Sequence, residues 1–342
     1  MFSTFLFALE AVAPLVLLIF LGVFFRKIGL FTEEFVSKGY SFCFRIALPC
    51  MLFCNVYSIG SLGEINFRNV LYTLSVVVVC FILGSLLSVL LVKDKRQRGV
   101  ITQCFFRSNC AVLGISLTEA LGGTDALQCV AILTAFSIPL FNVFAVVSLT
   151  VFTDTNEGKK GLSAINWGRI GKRIVTNPLI IGVCLGLLCL AVRYFIPVND
   201  AGEKVFLISR ELSIFYTVIS NISKIASPMM LLLLGGQFTF SAVKSMKKQI
   251  TLGVLGRVLI SPVIAFGGAY LLDLLGVISM GSAEYASFFA VFASPVAVSS
   301  AIMAREMGND DTLAGQLVVW TSIASVFTIF LFVIFFRTLG MI

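Results

Sequence analysis

The chain has 342 residues, 58% hydrophobic and 12% charged, with a formal net charge of +8 and a mean hydropathy of +1.03. A soluble domain carries about 25% charged residues, so the surplus apolar surface is read as facing lipid, and the positive charge as membrane topology rather than nucleic-acid binding, because the cations sit between apolar runs. The absence of histidine excludes Ser-His-Asp and Cys-His catalysis and His-based zinc sites; the nine cysteines lie in apolar runs without a CxxC pair, so neither a disulfide framework nor a metal site is expected.

A membrane-spanning helix needs about 20 apolar residues. In chain order such runs fall near 6–25, 36–57, 69–92, 99–121, 126–152, 177–196, 212–236, 250–275, 284–304 and 312–337. The first run has no preceding cation and is read as a retained helix rather than a cleavable signal. Cations then alternate. Arg26, Lys27 and Lys38 flank the first loop, Lys93 to Arg98 fill the third, and Lys159, Lys160, Arg169, Lys172 and Arg173 the fifth. Lys244, Lys247 and Lys248 fill the seventh, and Arg305 opens the ninth. Even-numbered loops are poor in cations except the sixth, where Asp200, Glu203 and Glu211 are interleaved. The positive-inside rule then places the odd-numbered loops in the cytoplasm and both termini of this multi-pass protein outside it.

The two halves are alike. APLVLLIFLGVFF (13–25) matches NPLIIGVCLGLLC (177–189), and FRIALPCMLF (44–53) matches SKIASPMMLL (223–232), pairing Pro49 with Pro228 and Arg45 with Lys224. LGGTDAL (121–127) matches MGNDDTL (307–313), which sets Asn109 opposite Pro295. A unit with an odd number of spans re-enters the membrane upside down, so residues 1–152 and 177–342 are expected to be inverted five-helix repeats joined by a cytoplasmic linker, 153–176. Such repeats place substrate near the midplane at broken helices.

Span four carries Arg107, nine residues beyond Arg98 and so roughly 13 Å deeper. A lipid-facing arginine there costs at least about 3 kcal/mol, so it faces protein or a water-filled cavity. Arg257 repeats the depth and Lys224 is mid-span, while Arg45 is shallower and can snorkel. Deep carboxylates are scarce, with Glu119 toward an outer end, so the interior is net positive and favours an anion. Asn109 with Gly114, and Pro295, are expected to break spans four and nine, turning half-helix N-termini toward one anion-binding point. Asn142 is a buried amide suited to substrate or to a bridge with span four; Ser294, Ser299, Asn55 and Gln237 are weaker candidates. The substrate-binding set is therefore Asn109, Arg107, Asn142, Pro295, Ser294, Ser299, Arg257 and Lys224, and structural cations tied to backbone carbonyls are the alternative for Arg107, Lys224 and Arg257.

ALPCMLF, RSNCAVLGISL with its following Gly pair, PLFNVF, NPLIIGVCLGLL, ASPMMLLLLGGQF, GRVLISP and SPVAVSSAIMAREMG occur in an order that resembles the auxin efflux carrier family, including bacterial malonate and malate permeases. The resemblance implies an all-α membrane protein. Ten helices form two inverted five-helix repeats with crossed, broken helices four and nine, in the manner of sodium/proton antiporters and bile-acid symporters. It also implies scaffold and transport domains, elevator-like alternating access, substrate contacts at Asn109 and Asn142, and a homodimer through the scaffold helices. Asn109 stands where plant members have proline, and residues 153–176 are short; within the resemblance both point to a bacterial-type permease of the inner (cell) membrane rather than to an auxin carrier. The expected function is secondary transport of small carboxylates such as malonate or malate, coupled to H+ or Na+ or uncoupled, without cofactor or enzymatic activity. The alternatives are a sodium-coupled carrier of amphipathic, steroid-like anions, or a membrane receptor without flux.

Overall fold

The computed structural model describes residues 2–58, 66–110, 114–153, 167–197, 204, 206–239 and 241–342. Part of the linker (154–166, with Lys159 and Lys160) lies outside them, as do Asp200 and Glu203. The described chain is helical. Its elements are α1 (Phe2–Lys27), α2 (Glu33–Tyr57), α3 (Phe67–Leu91), α4 (Lys95–Phe106), α5 (Ile115–Val151), α6 (Trp167–Val175) and α7 (Pro178–Phe195). After a single turn at Ile208–Glu211 come α8 (Ser213–Gln237), α9 (Lys247–Leu274), α10 (Ser282–Phe288), α11 (Ser299–Glu306) and α12 (Asp311–Thr338). Polar caps start several of them: Thr32 Oγ1 accepts from the Phe35 N–H at 3.1 Å, Asn177 Oδ1 from Leu179 at 3.0 Å and Asp310 Oδ1 from Leu313 at 2.8 Å, satisfying first-turn donors.

Among the described residues, six helices are long and apolar enough to cross a membrane: α2, α3, α8, α9, α12 and the Leu117–Val151 part of α5. The bent pair α6 and α7, at 57°, makes a seventh if counted as one span. Two local features bear on the sequence reading. The linker ends in a helix, α6, whose Ile170 is buried while Trp167 and Arg169 are exposed; its short amphipathic pattern lacks the length of a span. Run 99–121 breaks where the sequence reading expects it, near Asn109: the chain is extended over 107–109 and is α-helix again from Ile115. Between the two runs it bends at Gly123, whose φ of 63° is open to glycine at little cost.

Two groups of helices emerge from the packing. α1, α2, α7 and α8 pack on one another, and α3, α4, α5 and α9 to α12 form the second group, with α1 also touching α12. α1 and α8 meet backbone to backbone: a side-chain carbon on Gly22 would lie 2.0 Å from the Leu232 carbonyl oxygen, and one on Gly235 1.9 Å from that of Ile19. α2 and α8 are antiparallel. Gly39 lies against Leu233 near one end, and the Tyr57 and Tyr216 rings stand 5.3 Å apart at the other.

Candidate functional site

Two helices of the second group stop inside the protein. α4 ends at Phe106, and Arg107 is already extended (φ −87°, ψ 114°). Short polar side chains such as Ser108 and Asn109 favour local alternatives to the helix. On the other side, α10 widens into a π-turn, Phe289–Ala293, and Ser294 is extended (φ −65°, ψ 150°), as expected of a residue before proline. The extended segments pair with each other: Ser108 and Val296 form an antiparallel bridge, and the Asn109 N–H donates to the Pro295 oxygen at 2.9 Å. Ser108 Oγ donates to the Ala290 oxygen at 2.8 Å, and the Val296 N–H donates to Thr321 Oγ1 at 3.2 Å. Backbone groups freed by the breaks are thus partly satisfied by the opposite break, which buried backbone demands. Gly114, where helix resumes, lies so close to the π-turn that a side-chain carbon would come within 2.6 Å of Ala290 Cα.

Beside this pairing is a small cavity of about 50 Å³, room for a few water-sized groups. One wall is polar: Arg107, Ser108, Asn109, Asn142, Ser227 and Ser299. The other is apolar: Leu48, Met51 and Leu52 from α2, Met230 from α8, Leu179 from α7, and Ile138 and Phe141 from α5. Arg107 is 3% exposed. Its guanidinium donates to Gln103 Oε1 (2.8 Å), Met303 Sδ (2.7 Å), Asn142 Oδ1 (3.1 Å) and Ser299 Oγ (2.9 Å). Every one of those acceptors is neutral. Asn142 is fixed by donating its amide to the Ile138 oxygen at 2.9 Å. Ser299 is the first residue of α11, so the partial positive charge of that helix terminus lies beside the guanidinium. Asn109 Nδ2 is buried and, among the described residues, has no acceptor.

Arg257 is equally buried but differently used. It is 0% exposed, sits in a π-turn of α9 (Gly256–Ile260), and donates to the carbonyl oxygens of Ser294 at 2.7 Å and Val291 at 2.9 Å. Those carbonyls belong to the end of the α10 segment, where helix dipoles leave negative partial charge. Arg257 therefore caps a broken helix from behind the cavity. Among the described residues, neither Arg107 nor Arg257 has a carboxylate partner.

Of the residues singled out in the sequence, Arg107, Asn109, Asn142 and Ser299 share the cavity wall. Pro295 and Ser294 shape the break without lining the cavity, and Gly114 packs behind it. Arg257 is bonded to carbonyls, and Lys224 is exposed on α8. Glu119 and Asn55 do not line it, and Gln237 lies in a separate polar cluster near the end of α8. Sequence reasoning missed Leu48 and Ser227. Both directly precede the matched prolines Pro49 and Pro228, and that signal was available.

The profile of the family described as membrane transport protein matches residues 7–165 and 167–333. An uncharacterized transporter of Methanothermobacter thermautotrophicus is 23% identical over 323 residues, covering 92% of this chain and 94% of that one. Both findings make this chain a transporter rather than an enzyme. With its apolar helices it is an integral membrane protein, and it belongs to the membrane transport protein family, that of the auxin efflux carriers.

Proposed function

We propose that this protein is a secondary transporter of small organic anions, bound as carboxylates in the cavity beside Arg107 and carried by alternating access. The observation that carries this reading is Arg107 itself: a buried guanidinium held only by neutral acceptors, next to a helix N-terminus and the unpartnered Asn109 amide. A buried ion without a counter-charge costs several kcal/mol, and a bound carboxylate supplies both the missing charge and the missing acceptor. Arg107, Asn109, Asn142 and Ser299 are its contacts in this proposal, with Asn109, Gly114 and Pro295 building the crossing. Arg257 holds the crossing together.

The same reading takes the chain as ten spans in two inverted repeats, 1–152 and 177–342, in a bacterial cell membrane with both termini outside. Two observations support the repeat. The two breaks meet, and the sequence-matched residues Leu48 and Ser227, with Met51 and Met230, line the cavity from α2 and α8. The α1, α2, α7 and α8 group would serve as scaffold, and the other helices as the moving, elevator-like part.

A second reading concerns the substrate's shape. The cavity lining is mostly apolar and holds one guanidinium, which favours one carboxylate on an apolar body over a dicarboxylate such as malonate or malate. Thermal stabilisation of purified protein by malonate, malate and benzoate, followed by counterflow in liposomes, tests both. Benzoate stabilising more than malonate supports the apolar-body reading, and the reverse order supports the dicarboxylate. Binding without counterflow identifies a receptor, and stabilisation by none of the three removes the proposal.

A further inference from the structure

The middle of this protein's surface carries two cations that lipid cannot solvate. Arg45 lies twelve residues from each end of α2 (Glu33–Tyr57), and Lys224 lies eleven and thirteen residues from the ends of α8 (Ser213–Gln237). Each is roughly 16 to 20 Å of helix from either terminus; Lys224 is beyond the reach of snorkelling, and Arg45, the shallower of the two, lies roughly 10 Å of helix beyond the exposed Lys38. Both are exposed, and among the described residues neither has a hydrogen-bond or ion-pair partner. An exposed charge at mid-span costs at least about 3 kcal/mol in hydrocarbon, so water must reach these two positions.

Their placement says where that water is. Arg45 precedes the cavity-lining Leu48 by three residues, and Lys224 precedes the cavity-lining Ser227 by three. Residues three apart in an α-helix share a face, so Lys224 continues the lining stripe by one turn; on α2 the wider π-turn sets Arg45 to one side of the stripe at the corresponding depth. Because α2 and α8 run antiparallel, as the contacts Gly39 to Leu233 and Tyr57 to Tyr216 show, the two continuations run in opposite directions. Arg45 lies on the side of the cavity toward Glu33 and Gln237, and Lys224 on the side toward Tyr57 and Ser213. Arg45 also sits inside a π-turn, Cys43–Ala47, a feature that often marks functional positions.

We infer that Arg45 and Lys224 are a matched pair of vestibule cations, one on each side of the cavity, that draw an organic anion from water toward Arg107. The inference rests on the anion reading above. It assigns these residues to positioning, not to the binding contacts themselves. Charge in a narrow aqueous vestibule raises the local concentration of the opposite charge, so each cation acts on loading from its own side alone.

The test has two arms. In the first, Arg45→Cys and Lys224→Cys are treated with a membrane-impermeant, anionic methanethiosulfonate in whole cells and in inverted vesicles, with labelling measured above that of the parent protein. Lys224→Cys is expected to label from one face only and Arg45→Cys from the opposite face. No labelling above the parent, which is the outcome for a surface covered by lipid or by a second copy, overturns the inference; so does labelling of both from the same face. In the second arm, counterflow of malonate, malate and benzoate is measured from each face. Lys224→Gln is expected to raise KM about three- to tenfold from its own face with turnover unchanged, Arg45→Gln to do so from the other, and Lys224→Arg and Arg45→Lys to retain the parental KM. Unchanged KM on both faces overturns it. If none of the three carboxylates is carried by the parent, the anion reading fails, and the labelling pattern alone decides whether the two positions are watered from opposite sides.

Discussion

Replacing Arg107 by glutamine separates binding from folding. The side chain donates four hydrogen bonds to neutral acceptors and has no carboxylate partner among the described residues. Losing those bonds costs stability, with each orphaned buried acceptor worth about 1–3 kcal/mol. Removing an uncompensated buried charge returns several kcal/mol of desolvation, and the glutamine amide can still reach part of the same acceptor set. The two effects are of similar size, so Arg107→Gln is expected to melt within a few degrees of the parent. Binding has no such compensation. A charge-assisted hydrogen bond to a carboxylate contributes about 2–3 kcal/mol, which converts to roughly a 30- to 150-fold loss of affinity. The assay is a thermal melt of both proteins over a concentration series of each stabilising carboxylate. A variant that folds like the parent and keeps its carboxylate affinity within threefold refutes the assignment of Arg107 to the binding site.

Arg257→Gln is expected to do the reverse, because its charge is already met by the negative end of the α10 segment: the Ser294 and Val291 carbonyls lose their buried partner, stability falls by about 3 kcal/mol, and any protein that still folds binds carboxylates with near-parental affinity in the same melts. Gly235→Ala forces a methyl onto the Ile19 carbonyl oxygen and should cost about 3 kcal/mol or more of resistance to thermal unfolding in detergent. Thr321→Val removes the acceptor of the Val296 N–H and should cost about 1–2 kcal/mol, seen as a lower melting temperature. Arg305 stands over the Tyr40 ring at 5.0 Å, donates to Gln237 Oε1 at 2.8 Å and lies 3.8 Å from Asp311. Arg305→Gln should loosen the contact between the two helix groups by about 1 kcal/mol, read as roughly fivefold faster hydrogen exchange at residues 303–312.

Arg107 and Asn109 could be found in the sequence because polar groups in an apolar run demand a physical reason, and Asn142 and Ser299 could be found as polar candidates for the same cause. Periodicity and length located the long helices to within a few residues. What local reading could not supply was direction. Arg107 and Arg257 are both arginines roughly nine residues into a span, yet one faces a cavity and the other a pair of carbonyls, because the identity of the opposing helix is a tertiary fact. Lys224 illustrates the same limit: its depth was evident, but that it stands one turn outside the cavity lining rather than in it depends on the antiparallel packing of α2 against α8. The apolar wall at Leu48 and Ile138 looked like ordinary lipid-facing or packing surface, since a leucine against substrate and one against lipid have the same hydropathy. The bend at the Gly122–Gly123 pair was legible as the gap between the runs ending at 121 and starting at 126, but not which residue makes it. A glycine pair in a membrane helix is common, and only the backbone shows which member turns.

The central claim is that an organic anion occupies the cavity where the two extended segments pair. The most direct measurement is a structure of the protein with whichever carboxylate stabilises it most in the thermal series. The predicted result is a carboxylate within hydrogen-bond distance of the Arg107 guanidinium and Asn109 Nδ2, with its remaining body against Leu48, Ile138 and Met230. A carboxylate bound elsewhere, with the Arg107 side chain still closed on Asn142 and Ser299 and the cavity without the anion, would contradict it.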